Sequence, residues 1–174
     1  MKKFFIPLFI FAIALASFDA TAQIKTPAAS PSASFEQMVG LTTISGEYSR
    51  PGVKERKIFG ADGLVPYGEV WRTGANAATK LTFSDDVKIA GQEVKAGSYA
   101  VLTVPNAKNW QFLLHKYESG SWSSYKDKEP AVKILGNTQG MPMSMENFYI
   151  MIDNVKDGGA DMFFLWDKTM VTLP

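Results

Sequence analysis

The sequence predicts an all-β fold, an antiparallel β-sandwich or partly closed barrel of about nine strands with little or no helix. Three observations lead there. Apolar residues recur with a period of two over most of the chain after residue 35, the alternation of half-buried strands. Turn signals rich in Gly, Pro, Asn and Asp separate these runs at short intervals. No window sustains a 3.6-residue period over three turns, so nothing in the pattern supplies the crossover helices of a parallel sheet.

The elements follow in order. Thr42, Ile44, Gly46 and Tyr48 share one face of a strand, with Thr43, Ser45 and Glu47 on the other. Leu81 and Phe83 alternate with Lys80, Thr82 and Ser84, and Asp85-Asp86 marks a turn. Val87 and Ile89 lead into Ala90-Gly91-Gln92, a hairpin connection from which Glu93-Val94 returns. After Ala96-Gly97, the residues Tyr99, Val101 and Thr103 oppose Ala100, Leu102 and Val104. Pro105 to Asn109 turns into a strand on which Trp110, Phe112 and Leu114 share a side. Ala131–Leu135, Phe148–Asp153 and Met162–Trp166 supply further strands, and Lys168–Leu173 continues the last. Met141, Met143 and Met145 alternate beside Pro142, the pattern of an edge strand or a soft contact surface. A short helix near Glu129–Val132 is the one helical segment the pattern admits.

Ahead of this domain, from about Phe35 to the end, the chain reads as an export signal and a leader. Lys2 and Lys3 precede an apolar run from Phe4 to Ser17, and Ala20-Thr21-Ala22 places small residues where a signal peptidase cuts. The run is shorter than a membrane span needs and contains Pro7, so residues 1–22 are expected to be removed. Residues 23–34, rich in Ala, Ser, Thr and Pro, read as a flexible leader. Residues 35–174 form one domain.

Composition narrows the function classes. The chain has no cysteine, which excludes disulfides, cysteine nucleophiles and a lipidated N-terminal cysteine. Cleavage would remove Lys2, Lys3 and Asp19, leaving 16 basic and 16 acidic residues of the original 18 and 17. A neutral domain without a basic run lacks the footprint of a nucleic-acid binder and of a polybasic membrane binder. The expected location is the periplasm, with release to the medium as the alternative. The expected partner is a small anionic molecule, a glycan or another protein, with no nucleic acid and no membrane anchor after cleavage.

The most unusual stretch runs from Val65 to Thr79. Tyr67, Trp71, Arg72 and Asn76 fall within ten residues, interleaved with Gly68 and Gly74. Aromatic faces stack on apolar ring surfaces, Arg presents a planar fork to carboxylates or phosphates, and glycines let a backbone approach a ligand. These four residues are candidate ligand contacts. The competing reading makes the stretch a long connection, with Trp71 plugging the sandwich and Arg72 paired to an internal carboxylate. Arg50 and Arg56, with Lys54 and Lys57, gather positive charge around a turn and join the list as anion contacts.

No catalytic residue is assigned, and no metal centre is expected. His115, the single histidine, lies on the face opposite Trp110, Phe112 and Leu114, and no G-x-S-x-G elbow accompanies it. One His and no Cys make a poor zinc site. Asp153, Asp157 and Asp161 recur around Gly158-Gly159 without EF-hand spacing, and Asp-Gly-Gly reads first as a hairpin turn. No cofactor is read from the sequence.

Three segments together resemble the exported proteins of the domain-of-unknown-function 2911 family. These are Tyr48-Ser49-Arg50-Pro51 continuing to Arg56–Gly60, the Val65–Thr79 run, and Lys95-Ala96-Gly97-Ser98-Tyr99 running to Pro105. The Trp110 strand, the Trp122–Tyr125 segment and Trp166-Asp167-Lys168-Thr169 also fit, so the resemblance spans nearly the whole chain after the signal. It implies an exported β-rich domain and supplies no catalytic residues. His115 departs from the pattern, where another polar residue such as Asn is usual. The leading expectation is a non-enzymatic binding module of the cell envelope. A carboxylate-based hydrolase and a structural or assembly partner are the alternatives.

Overall fold

The computed structural model describes residues 26–174; the export signal read over residues 1–22 lies outside them. Nine strands follow one another: β1 (Ser32–Val39), β2 (Thr42–Ser49), β3 (Thr79–Phe83), β4 (Val87–Ile89), β5 (Gln92–Val94), β6 (Gly97–Pro105), β7 (Asn109–Lys116), β8 (Val132–Lys156) and β9 (Gly159–Leu173). A 3-10 turn at Trp122–Ser124 is the one helical element among the described residues. The short helix that the pattern admits near Glu129–Val132 does not form, since Val132 already pairs with Leu114. Seven strands form one antiparallel sheet in the order β1-β2-β3-β6-β7-β8-β9, curled into a nearly closed barrel, and β4-β5 form a separate hairpin. Of the sandwich or partly closed barrel expected from the periodicity, the barrel form is the architecture.

Two differences from the expected elements have physical reasons. The leader read over residues 23–34 is anchored earlier than its composition implied: Ser32, Ala33 and Ser34 pair with Ser49, Tyr48 and Glu47. Upstream, the Arg50 amide donates to the Pro31 carbonyl at 2.9 Å, and Asn76 Nδ2 donates to the Ser30 carbonyl at 3.2 Å. The strands expected at Ala131–Leu135 and Phe148–Asp153 are parts of the single strand β8. Register shifts between Gly140 and Met145, and between Met145 and Tyr149, bend it between them, as bulges do. Its first half pairs with β7 and its second half crosses to the far wall. The methionine stretch lies at this bend, with Met143 exposed.

The turns obey local chemistry. Ala90 (φ 46°) and Gly91 (φ 81°) join β4 to β5, and Asp157 (φ 49°) and Gly158 (φ 76°) join β8 to β9. Two consecutive positive φ values define the type I′ turn, whose twist matches that of the strands it joins.

The inward residues fill the barrel. Trp110, Phe112 and Leu114 of β7, Tyr99 and Val101 of β6, and Phe164 and Trp166 of β9 are buried in one core. Their alternates on β6 and β7 face outward beneath the segment after β7. There Ala100 and Leu102 pack with Tyr125 in a second, smaller core. The Tyr125 hydroxyl holds that segment down, accepting from the Glu118 and Ser119 amides and donating to the Ser119 carbonyl.

The barrel closes between β2 and the second half of β8 with almost no backbone ladder. A single bridge joins Gly52 to Asn147, supported by hydrogen bonds from the Val53 amide to the Glu146 carbonyl and from the Phe148 amide to the Pro51 carbonyl. Side chains do the rest. Tyr48 Oη accepts from the Ile150 amide at 3.2 Å, and Arg50 Nε donates to the Phe148 carbonyl at 3.0 Å.

Candidate functional site

The long connection between β2 and β3 carries all six candidate residues, and most of it is engaged in closing one end of the barrel. Trp71 enters the core. It stacks on Trp166 at 5.6 Å with a 15° interplanar angle and meets Trp110 and Phe148 edge-on at 5.7 and 5.2 Å. Phe59, from the same connection, sits 5.1 Å from Trp110 and 5.9 Å from Trp166. A sharp turn aims the Trp71 ring: Thr73 holds φ at 56° and Gly74 at 151°. Positive φ is strained for a β-branched residue, and three contacts hold it. Thr73 Oγ1 donates to Thr103 Oγ1 at 3.1 Å, Thr79 Oγ1 donates to the Thr73 carbonyl at 2.5 Å, and Trp71 Nε1 donates to the Gly74 carbonyl at 3.0 Å. A Cβ on Gly74 would lie 2.9 Å from the Ser49 carbonyl oxygen. Trp71 thus takes the plug position.

The arginines go to different partners. Arg50 sits over the Tyr149 ring at 4.9 Å as well as bonding Phe148. Arg56 donates to the Gly52 and Val53 carbonyls at 2.6 and 3.1 Å. Arg72 lies over the Trp122 ring at 4.9 Å and donates to the Asn76 carbonyl at 3.3 Å; no carboxylate among the described residues pairs with it. The three guanidinium groups share no partner among the described residues. Arg72 and Trp122 line a shallow cleft of about 160 Å³ with Leu64, Pro66, Glu69 and Val70. Tyr67 is exposed, and Asn76 Nδ2 bonds Ser49 Oγ and the Ser30 carbonyl.

His115 is buried on the outer face of β7, its ring 5.5 Å from that of Tyr125. Burial, with Lys128 as the nearby charge, lowers its pKa against a smaller opposing pull from Glu129, so the imidazole is held neutral. Asp86 accepts from Lys95 Nζ and the Ala96 amide, both at 2.8 Å. Those two hydrogen bonds hold its carboxyl below the usual range, the opposite of what a general acid needs. Asp153 and Asp161 face each other across the β8–β9 hairpin, and Asn154 Nδ2 donates to Asp161 at 2.7 Å. Among the described residues no three His, Asp or Glu side chains gather as metal ligands would.

A site lined largely by aliphatic side chains lies at the other end of the barrel. Along β2, β8 and β9 the inward residues run from Tyr48, Phe148 and Trp166 beside the plug to Ile44, Ile152 and Met162. These last three line an open cavity of about 300 Å³ together with Val39, Phe83 and Ile89. Leu173 forms part of its wall, and Asp86, Lys88 and Asp161 stand at its rim. The β4–β5 hairpin forms one side, tied down where the Ala90 amide donates to the Pro174 carbonyl at 2.7 Å. The β1–β2 and β8–β9 turns nearly touch beside it, since a Cβ on Gly40 would lie 3.2 Å from Gly158 Cα. Sequence reasoning placed these side chains on strand faces but did not gather them. Their one signal is inward parity at strand ends, which looks the same whether the end is filled or open.

The fold and its two ends define an antiparallel barrel, plugged by an aromatic connection and open to an apolar cavity opposite. The chain belongs to the DUF2911 family, described as a protein of unknown function, whose model matches residues 30–174. No curated protein and no solved structure matches it.

Proposed function

We propose that this protein is an exported, non-catalytic binding module of the cell envelope that holds a small apolar molecule in the open end of its barrel. The observation that carries the reading is the cavity, whose volume and aliphatic lining suit a ligand at the mouth of a barrel. The residue pattern of the first 22 positions supports export. The neutral, buried His115 and the low pKa of Asp86 favour binding over acid–base chemistry. Two measurements test this. Fractionation of cells should place a form processed after Ala22 outside the cytoplasm. An NMR screen of small aliphatic and aromatic molecules should give binders that shift Ile44, Ile89 and Ile152. An unprocessed cytoplasmic chain, or a screen without a binder at those residues, overturns the respective half.

One observation favours a second reading, an anionic ligand at the Arg72 cleft. Arg72 spends one of its five N–H groups on Asn76, leaving donors for a carboxylate beside the Trp122 ring. Titration with small carboxylates, monitored at the Trp122 indole, tests it. No change at Trp122 excludes the site.

A further inference from the structure

We propose that the cavity at the open end takes an aliphatic chain of about eight carbons carrying an uncharged polar head, the chain inside and the head in water. The proposal rests on the reading of this cavity as the binding site and adds the chemical class of the ligand. Three observations carry it.

The first is the wall. Its inward side chains are aliphatic, from Val39, Ile44, Val87, Ile89, Ile152 and Met162, with Phe83 as the one aromatic ring. Phe83 is 2% exposed and its ring lies 6.1 Å from that of Tyr99, so it offers no open face. Stacking on a sugar or a flat heterocycle needs such a face. Trp71, Trp110, Trp166 and Phe148 are packed against one another at the far end.

The second is the rim. The charged groups there are unevenly compensated. Asp86 is ion-paired to Lys95 at 2.8 Å, Lys88 is opposite Glu93 in the β4–β5 register without an ion pair between them, and Asp161 faces Asp153 and accepts only from the neutral Asn154. An anionic head would meet the Asp153–Asp161 pair, and either ion would lose part of its hydration on approach. A hydroxyl or ester head at the mouth keeps its water.

The third is size. A cavity of about 300 Å³ equals the share of roughly ten liquid waters at about 30 Å³ each, room for a chain of about eight carbons and its first head atom.

The test is a chain-length series of straight 1-alkanols from butanol to dodecanol, titrated into the protein expressed with its own leader and followed by NMR. Affinity should rise about fourfold per methylene up to about octanol and then level off. Octanoate, octylammonium and 2-naphthol should each bind more weakly than octanol. Citronellol against octanol separates an isoprenoid from a fatty source, and binding of either supports the aliphatic class. Contacts from the octanol methyl group to the Met162 methyl and to Ile152 locate the chain without any variant, and their absence overturns the placement. Ala160→Leu, which fills the mouth from the β8–β9 hairpin, should abolish octanol binding in a folded protein; unchanged binding overturns the placement as well. Tighter binding of 2-naphthol, or of either ion, or affinity independent of chain length, overturns the ligand class while leaving the cavity as a binding site. Failure of every aliphatic and aromatic probe overturns both.

Discussion

Replacing Tyr48 by Phe removes one oxygen from the seam that closes the barrel. The ring contacts survive, since Phe148 lies 5.8 Å from the Tyr48 ring and Phe35 6.4 Å, both edge-on. What is lost is the acceptor for the Ile150 amide at 3.2 Å and a long donation to the Ile150 carbonyl at 3.5 Å. Ile150 is 1% exposed, so its N–H is left in an apolar surrounding with no water to replace the hydroxyl. An orphaned buried donor costs about 1–3 kcal/mol. We expect a loss of about 2 kcal/mol by urea unfolding, equivalent to a fall in Tm of about 4–8 °C for a domain of this size. Amide exchange at Ile150 should accelerate. Tyr67→Phe, on an exposed ring, is the control and should stay within about 0.5 kcal/mol. A Tyr48→Phe loss below about 0.5 kcal/mol with unchanged exchange at Ile150 would refute the stitched seam. The same site has an alkaline signature. Burial raises the Tyr48 pKa, so above about pH 10 the unfolded chain ionises first and stability falls with rising pH. Tyr48→Phe should remove that component.

Three further perturbations follow from the same structure. His115 has a folded-state pKa below its ordinary 6.5, so its contribution is complete above that pH and is lost as pH falls through 6.5 toward the folded value; His115→Asn should flatten the unfolding free energy across that window. A Cβ on Gly136 would lie 2.8 Å from both Phe112 Cε2 and Val171 Cγ1, so Gly136→Ala should cost about 1–3 kcal/mol by overpacking, read from the urea midpoint. Arg72→Ala gives up the contact over Trp122 and one hydrogen bond, about 1 kcal/mol together; a calorimetric loss above about 3 kcal/mol would mark a deeper structural role.

Sequence alone settled what depends on near neighbours. Period-two alternation gave β2, β3, β6 and β7 and the residues of each that share a face, because a strand's facing repeats every two residues whatever its partner. The Ala90-Gly91 and Asp157-Gly158 turns were legible because positive φ is a local demand on those residues. The missing cysteine excluded a disulfide outright. The tertiary structure decided what depends on distant partners. Ser32–Ser34 look like leader by composition and become strand only because β2 offers them a ladder. Met141–Met145 read as a separate edge strand and instead join the strands on either side into β8, because β9 follows them through the bulges. Trp71 and Arg72, adjacent in one unusual segment, separate into a core plug and a surface stack. The seam joins Tyr48 to a backbone 102 positions away, and the cavity gathers residues from Val39 to Leu173. Alternation fixes which way a side chain faces, whereas filling or leaving open the end of a barrel depends on which connection folds across it, a property of chain path that no local period encodes.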